Sequence, residues 1–249
     1  MLEAFGNGTL FGERTGDGPI RVLWLHGWGR SHRDFSVAAS LLASHGVASV
    51  ALDLPGFGAS PLPPVAGGAR YYAELLRPVI GELSSAPLVL VGHSFGGRVA
   101  AVLGATPGVT LAGIVFTGAP LVRREGGGRS PWRYRVIRRL YGARLVSDAV
   151  IEKARRRYGS VDYNNASGLL RDILVATVNE SYEPELARLT VPTAMVWGEG
   201  DHDVSLASAE RAARLLSSRP TVQVVANCGH LVPTTQPASL VSAVLEMVA

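Results

Sequence analysis

After Pro87 the chain runs Leu88-Val89-Leu90-Val91-Gly92-His93-Ser94-Phe95-Gly96-Gly97-Arg98-Val99-Ala100-Ala101, and few folds accommodate such a run. The apolar segment between Pro87 and Gly92 suits a strand covered on both faces. Val99-Ala100-Ala101-Val102-Leu103 suits a helix packed on that strand. Only a sharp turn separates the two, and it holds Gly92-x-Ser94-x-Gly96, the pattern of a nucleophile elbow. A serine on such a turn projects its hydroxyl away from the sheet. Residues two positions to either side must be small, or their side chains would collide across the turn. The helix that follows has unpaired main-chain N–H groups at its start, and these stabilise an anion.

The rest of the chain alternates strands and helices. Phe5-Gly6-Asn7-Gly8-Thr9 is expected to turn a small hairpin. Ile20–His26, Val47–Leu52, Leu111–Thr117, Pro192–Trp197 and Thr221–Val225 read as strands. Helices are expected over Ser31–Ser44, Arg70–Leu83, Ser205–Leu216 and Ala238–Val248. This order predicts an α/β fold with a mostly parallel, doubly wound sheet. With 249 residues, 47% of them apolar and 18% charged, the chain can bury one sizeable core. No apolar run approaches the 18 or so residues of a membrane span. The N-terminus lacks a basic start followed by an apolar stretch, and Cys228 is the only cysteine. A reducing, cytoplasmic location is the expectation.

In parallel sheets ligands bind at the carboxyl ends of strands. His26-Gly27-Trp28, Asp53, Ser94, Asp201 and His230 all fall at such ends. A serine hydroxyl needs an adjacent base, typically a histidine held in one tautomer by a buried carboxylate. Of the six histidines, His26 and His93 belong to motifs already placed, His32 and His45 lie on or beside a predicted helix, and His202 lies among acidic residues. His230 sits on a loop just past the last strand, beside Gly229, and is the candidate base. Three carboxylates follow the preceding strand: Glu199, Asp201 and Asp203. Glu199 falls within the turn of Gly198 and Gly200 and is expected to face solvent. Asp203 precedes Val204-Ser205, where a helix begins, and suits a place near its N-terminus. Asp201 is the candidate partner of His230, with Asp203 the alternative. No Cys/His cluster has metal-ligand spacing, so neither a metal nor another cofactor is expected.

Taken together, His26-Gly27-Trp28-Gly29, Asp53-Leu54-Pro55-Gly56-Phe57-Gly58, Gly92-His93-Ser94-Phe95-Gly96-Gly97, Gly198-Glu199-Gly200-Asp201 and Gly229-His230 resemble the α/β-hydrolase superfamily over nearly the full chain. The order Ser, Asp, His differs from both major protease orders and matches this superfamily. The resemblance implies a serine hydrolase, and a carboxylic ester hydrolase first of all. Ser94 would be the nucleophile, His230 the base and Asp201 its orienting acid. The main-chain N–H groups of Trp28 and Phe95 would form the oxyanion hole, one starting the elbow helix and the other facing it from a Gly-flanked loop. Asp53 would organise its own loop. A serine at the elbow argues against haloalkane dehalogenases and epoxide hydrolases, which place Asp there. The first two motifs look most like the esterases that cleave the methyl ester of a pimeloyl chain on acyl carrier protein. Acyl transfer and thioester, lactone, amide and C–C bond cleavage use the same parts, and a binding protein or receptor that keeps the fold is the alternative class.

Between residues 121 and 190 the apolar strands stop and a basic, helical region intervenes. It is expected to form a cap inserted into a core made of residues 1–120 and 191–249. From Leu121 to Arg157 it holds Arg123, Arg124, Arg129, Arg133, Arg135, Arg138, Arg139, Arg144, Lys153, Arg155, Arg156 and Arg157 against Glu125, Asp148 and Glu152. The whole chain has a net charge of +4, so the remainder is net acidic. Such a region is either a solvated helical face or a surface that attracts an anionic small-molecule or carrier-bound acyl substrate. No motif points to nucleic acid or to anionic lipid. Trp132, Tyr134, Tyr141 and Tyr158 are expected in the cap's own core.

Overall fold

Residues 2–84, 86–123, 132–158 and 161–248 are described by a computed structural model. Arg124, Glu125 and Arg129 fall outside the described residues, as do the side chains of Trp132 and Tyr158. One sheet holds eight strands among the described residues: β1 (Leu2–Phe5), β2 (Leu10–Thr15), β3 (Ile20–Leu25), β4 (Ala48–Asp53), β5 (Leu88–His93), β6 (Leu111–Thr117), β7 (Thr193–Gly198) and β8 (Val222–Val225). Their order is β1-β2-β4-β3-β5-β6-β7-β8. β1 and β2 form the hairpin expected at the N-terminus, and β2 runs antiparallel to β4. From β4 to β8 every pairing is parallel. The body of β2 was not legible as a strand because glycine interrupts it. Gly12 is needed there: a Cβ would stand 2.6 Å from the Ala51 carbonyl of β4.

The helices are α1 (Ser36–Ser44), α2 (Ala69–Leu83), α3 (Phe95–Gly104), α4 (Trp132–Gly142), α5 (Asp148–Tyr158), α6 (Val161–Asn165), α7 (Gly168–Asn179), α8 (Glu183–Arg188), α9 (Leu206–Leu215), α10 (Val232–Thr235) and α11 (Pro237–Val248). The helix expected from Ser31 starts instead as a 3-10 turn, His32–Phe35, before α1. The cause is Asp53, whose Oδ1 accepts the His32 main-chain N–H at 2.7 Å and contacts His32 Nδ1 at 2.9 Å.

Side-chain alternation along the strands separates two apolar layers. Leu88 and Leu90 of β5 join Leu76, Val99 and Leu103 on one face, under α2 and α3. Val89 and Val91 join Ala38, Leu42, Leu240 and Val244 on the other, under α1 and α11. Each of these strand side chains is fully buried, a gain of about 1.5–3 kcal/mol apiece. The site is therefore carried on strands fixed from both sides.

The five helices from α4 to α8 lie between β6 and β7 as a helical insertion. They divide into two unlike parts. The segment from α7 through α8 sends Ile173, Tyr182, Leu186 and Leu189 into the main core. By contrast, no described side chain of α4 is buried, and α5 buries only Ile151 and Ala154 among its described residues. Tyr134 and Tyr141 are half-buried rather than core residues, because α4 packs against α5 and presents the rest of its surface to solvent.

Candidate active site

Ser94 closes β5 and precedes α3 with φ 49° and ψ −108°, a left-handed conformation that costs a non-glycine residue about 1–3 kcal/mol. Neighbouring groups hold it there. Ser94 N–H donates to the Thr117 carbonyl at 3.0 Å, and the Ser94 carbonyl accepts from Gly97 at 3.2 Å and Arg98 at 3.3 Å. The flanking glycines have atomic reasons. A Cβ at Gly92 would stand 2.5 Å from Gly97 Cα, the collision across the turn that the sequence predicts. At Gly96 the collision is with β3 instead, 2.1 Å from the Leu25 carbonyl oxygen.

The loop after β3 is fastened to this turn. Gly96 N–H donates to the His26 carbonyl at 3.0 Å. The buried His26 ring takes the Leu54 N–H on Nε2 at 2.9 Å and meets the Gly27 carbonyl with Nδ1 at 2.7 Å. One acceptor and one donor nitrogen define a neutral imidazole, and burial lowers its pKa. Trp28 and Phe95 stand side by side, rings 5.5 Å apart, and both line the cavity. No hydrogen bond among the described residues takes up the main-chain N–H of either. Asp53 organises its own loop: besides His32 it accepts the Ala59 N–H at 2.8 Å, and its carbonyl accepts the Ser60 hydroxyl at 2.6 Å.

His230 Nδ1 lies 2.9 Å from Asp201 Oδ2, with the carboxylate buried. The other oxygen, Oδ1, accepts the main-chain N–H groups of Asp203 at 2.9 Å and Val204 at 2.8 Å. A carboxylate so engaged accepts a proton-bearing Nδ1, which leaves Nε2 as the basic nitrogen. Gly118, at φ 56°, makes room for the ring: a Cβ there would stand 2.9 Å from His230 Cε1. Glu199 is exposed, as expected. Asp203 is exposed and faces the cavity, while the N-cap of α9 is Ser205, whose Oγ accepts the Ser208 N–H. Donor atoms of Asp201, Asp203 and His230 lie within 4.8 Å of one another, a spacing that a cation would tolerate. Both Asp201 oxygens, however, are already engaged by His230 and two amides.

Ser94, His230, Trp28 and Phe95 all line one cavity of about 1260 Å³ beneath the inserted helices. Among the described residues no hydrogen bond joins the Ser94 hydroxyl to the His230 ring. Leu170 and Leu174 of α7 line the cavity together with Phe57, and Arg30, Arg98 and Arg123 add positive charge. Arg30 Nε and Nη2 donate to the two Asp34 carboxylate oxygens.

Two groups, Arg98 and Asp162, escaped the sequence reading, and His93 entered it only as part of the elbow motif. Arg98, one helical turn beyond Ser94, lies on the same face of α3; that spacing was the available signal. Its Nη1 donates to the Thr177 carbonyl at 3.0 Å, its guanidinium lies 5.7 Å from the Tyr182 ring centroid, and its Nε is buried without a partner. Burial lowers its pKa. His93 packs 4.9 Å from the His230 ring and donates Nε2–H to the His230 carbonyl at 3.0 Å. Burial, with the neighbouring His230, pushes its pKa down to about 3. Asp162 of α6 reaches the cavity from above, and burial together with Asp203 raises its pKa. Neither His93 nor Asp162 had a usable sequence signal, since both act through neighbours distant in the chain.

Known proteins resemble this chain along its whole length. It is 27% identical to the 2-succinyl-6-hydroxy-2,4-cyclohexadiene-1-carboxylate synthase of Salmonella paratyphi B, over 92% of this chain and 94% of that protein. The solved structure of an esterase from Exiguobacterium antarcticum superposes with a TM-score of 0.74 at 19% identity, over 100% of this chain and 98% of that one. An esterase from Thermogutta terrifontis gives 0.71 at 21% identity, with 100% and 98% covered. Under 25% identity these two likenesses speak for the fold. The sheet order and helical insertion described above are those of the α/β hydrolase fold, the pattern of the alpha/beta hydrolase family matches residues 22–243, and the chain belongs to that family.

Proposed function

We propose that the protein is a serine hydrolase that cleaves a carboxylic ester of an anionic acyl substrate through an acyl-enzyme. The observation that carries this reading is the His230–Asp201 hydrogen bond, placed on the cavity into which the Ser94 turn opens. Ser94 attacks the carbonyl carbon, and His230 Nε2 accepts the hydroxyl proton. Asp201 holds the ring and stabilises the imidazolium. The N–H groups of Trp28 and Phe95 receive the negative charge that develops on the carbonyl oxygen. His230 then protonates the leaving group, and water activated by the same ring releases the acid. Within the cap region 121–190, α6 and α7 cover the acyl chain, and the single, buried Cys228 suits a reducing, cytoplasmic setting.

The negative charge of the substrate is inferred from Arg98. A guanidinium with a buried, unpartnered Nε beside the cavity gains from a carboxylate. The product named for the Salmonella relative carries a succinyl group and a carboxylate, which agrees with this choice. That the relative is a synthase favours a second reading, in which the same residues act on a non-ester bond of an anionic substrate. A fluorophosphonate probe and a panel of esters separate the readings. Labelling at Ser94, with turnover of dicarboxylate monoesters exceeding that of neutral isosteres and falling at least tenfold in Arg98→Gln, is expected. Labelling without hydrolysis of any ester moves the assignment to the second reading. A wild-type protein that does not label at all excludes both.

A further inference from the structure

The sequence from Trp132 to Tyr158, which forms α4, its turn and α5, contains nine basic and two acidic residues, a net of +7 in a chain of +4. The rest of the chain is therefore net negative by three. On α4 there is no acidic residue, and Arg133, Arg135, Arg138 and Arg139 are all exposed. The two acids of α5 do little to balance them. Glu152 is shared among Arg155, Arg156 and Arg171, and Asp148 accepts the Tyr141 hydroxyl at 2.7 Å.

Apolar side chains stand among these charges. Val136 is 47% exposed, Leu140 36%, Leu145 70% and Val150 43%. Val136 and Leu140 lie one turn apart on α4, and Leu145 N–H donates to the Leu140 carbonyl at 2.8 Å, which brings the turn back beside them. A single exposed leucine is ordinary; several set among charges of one sign are the composition of a helix that lies in a membrane interface. We propose that the α4–α5 hairpin docks on an anionic lipid bilayer, with its arginines at the phosphates and Leu140, Leu145 and Val136 at the boundary with the acyl chains. Guanidinium groups match phosphate oxygens in geometry, and their aliphatic stems extend the apolar contact. An acidic protein or a nucleic acid would satisfy the arginines but would place the exposed aliphatic groups against carboxylates or phosphates. α6 begins at Val161, three positions after the end of α5 in the sequence, with Val161 74% exposed, and its Asp162 and Asn165 line the cavity. The docked hairpin would therefore set the cavity beside the lipid surface. This inference does not depend on the bond the enzyme cleaves.

Co-sedimentation of the full chain with vesicles tests it. Binding is expected to phosphatidylcholine vesicles with about 30 mol% phosphatidylglycerol at roughly 0.1 M salt, with at least a tenfold loss at roughly 0.5 M, where charges are screened within a few ångströms. Vesicles of phosphatidylcholine alone should bind at least tenfold more weakly. Arg135→Glu/Arg139→Glu should lose at least tenfold, and Leu145→Ser, at unchanged charge, about threefold. Circular dichroism and turnover of a soluble ester check that both variants fold. Wild-type protein that ignores the phosphatidylglycerol vesicles overturns the proposal. So does binding that Leu145→Ser leaves intact while polyglutamate or a short DNA duplex binds equally well, since that describes a surface read by charge alone.

Discussion

The Ser94 turn and the α4–α5 hairpin lie in the same chain under opposite rules. Around Ser94 the backbone is fastened to β3 and β6, and an added methyl group at Gly92 or Gly96 would strike main-chain atoms at 2.5 Å and 2.1 Å. On α4 no described side chain is buried, and its arginines stand at the surface. One region is over-determined, so that Ser94 is held in a strained geometry that a softer frame would relax. The other is under-determined by the fold, and its composition is free to answer to something outside it. Position on a rigid sheet supports chemistry; a weakly anchored, charged surface supports encounter.

Ser94→Ala should produce the largest change if that contrast holds. Several orders of magnitude in kcat should disappear, by as much as about 10⁶-fold in comparable triads, with thermal stability kept. Removal of the hydroxyl also relieves no backbone strain, because the left-handed turn belongs to the main chain. Ordinary esterase turnover by the purified variant would end the proposed mechanism.

The paired substitutions Asp201→Asn and Asp203→Asn come next. An amide in place of the first carboxylate would present the wrong group to His230 Nδ1, at a cost of roughly 10⁴ in kcat by precedent with other triads. Asp203 adds charge at the cavity edge, so its neutralisation should change kcat by a small factor. The reverse order at equal stability would transfer the orienting role to Asp203.

A third test reads the rigidity of the site through pH. His93 has a folded pKa of about 3 against 6.5 when free, and His26 is lowered in the same direction. The unfolded chain therefore binds protons first as pH falls below 6.5, and stability is lost between there and about 3. Each such histidine contributes a slope of up to about 1.4 kcal/mol per pH unit. Urea denaturation at neutral and acid pH should show this acid limb, and His93→Gln, which keeps a donor for the His230 carbonyl, should make it shallower. An unchanged slope would show that the buried ring does not remain neutral in the folded state.

The smallest effect is expected on the other side of the comparison. Arg135→Glu/Arg139→Glu should leave kcat/KM for a neutral, soluble ester within about twofold, since long-range charge effects on an uncharged substrate are slight. A tenfold change would mean that the hairpin reaches into the chemistry, and the division between the two regions would have to be redrawn.

With the family resemblance favouring Asp201 over its neighbours, local pattern identified the strand and helix flanking Ser94, the hairpin signal at Gly6-Asn7-Gly8, and the loops holding His26, Asp53 and His230. These were legible because each depends on residues near in sequence: an apolar run, a glycine spacing, a loop just past a strand. Tertiary structure alone decided the rest. It set His93 against His230, brought Arg98 to a cavity whose far wall is α7, lowered Asp162 toward Asp203, and replaced the start of a helix with a 3-10 turn held by Asp53. It also divided the insertion into α7–α8, anchored in the core, and α4–α5, left outside it. The physical reason is the same in each case: burial and electrostatic pairing are properties of neighbours in space, and the sequence states only neighbours along the chain.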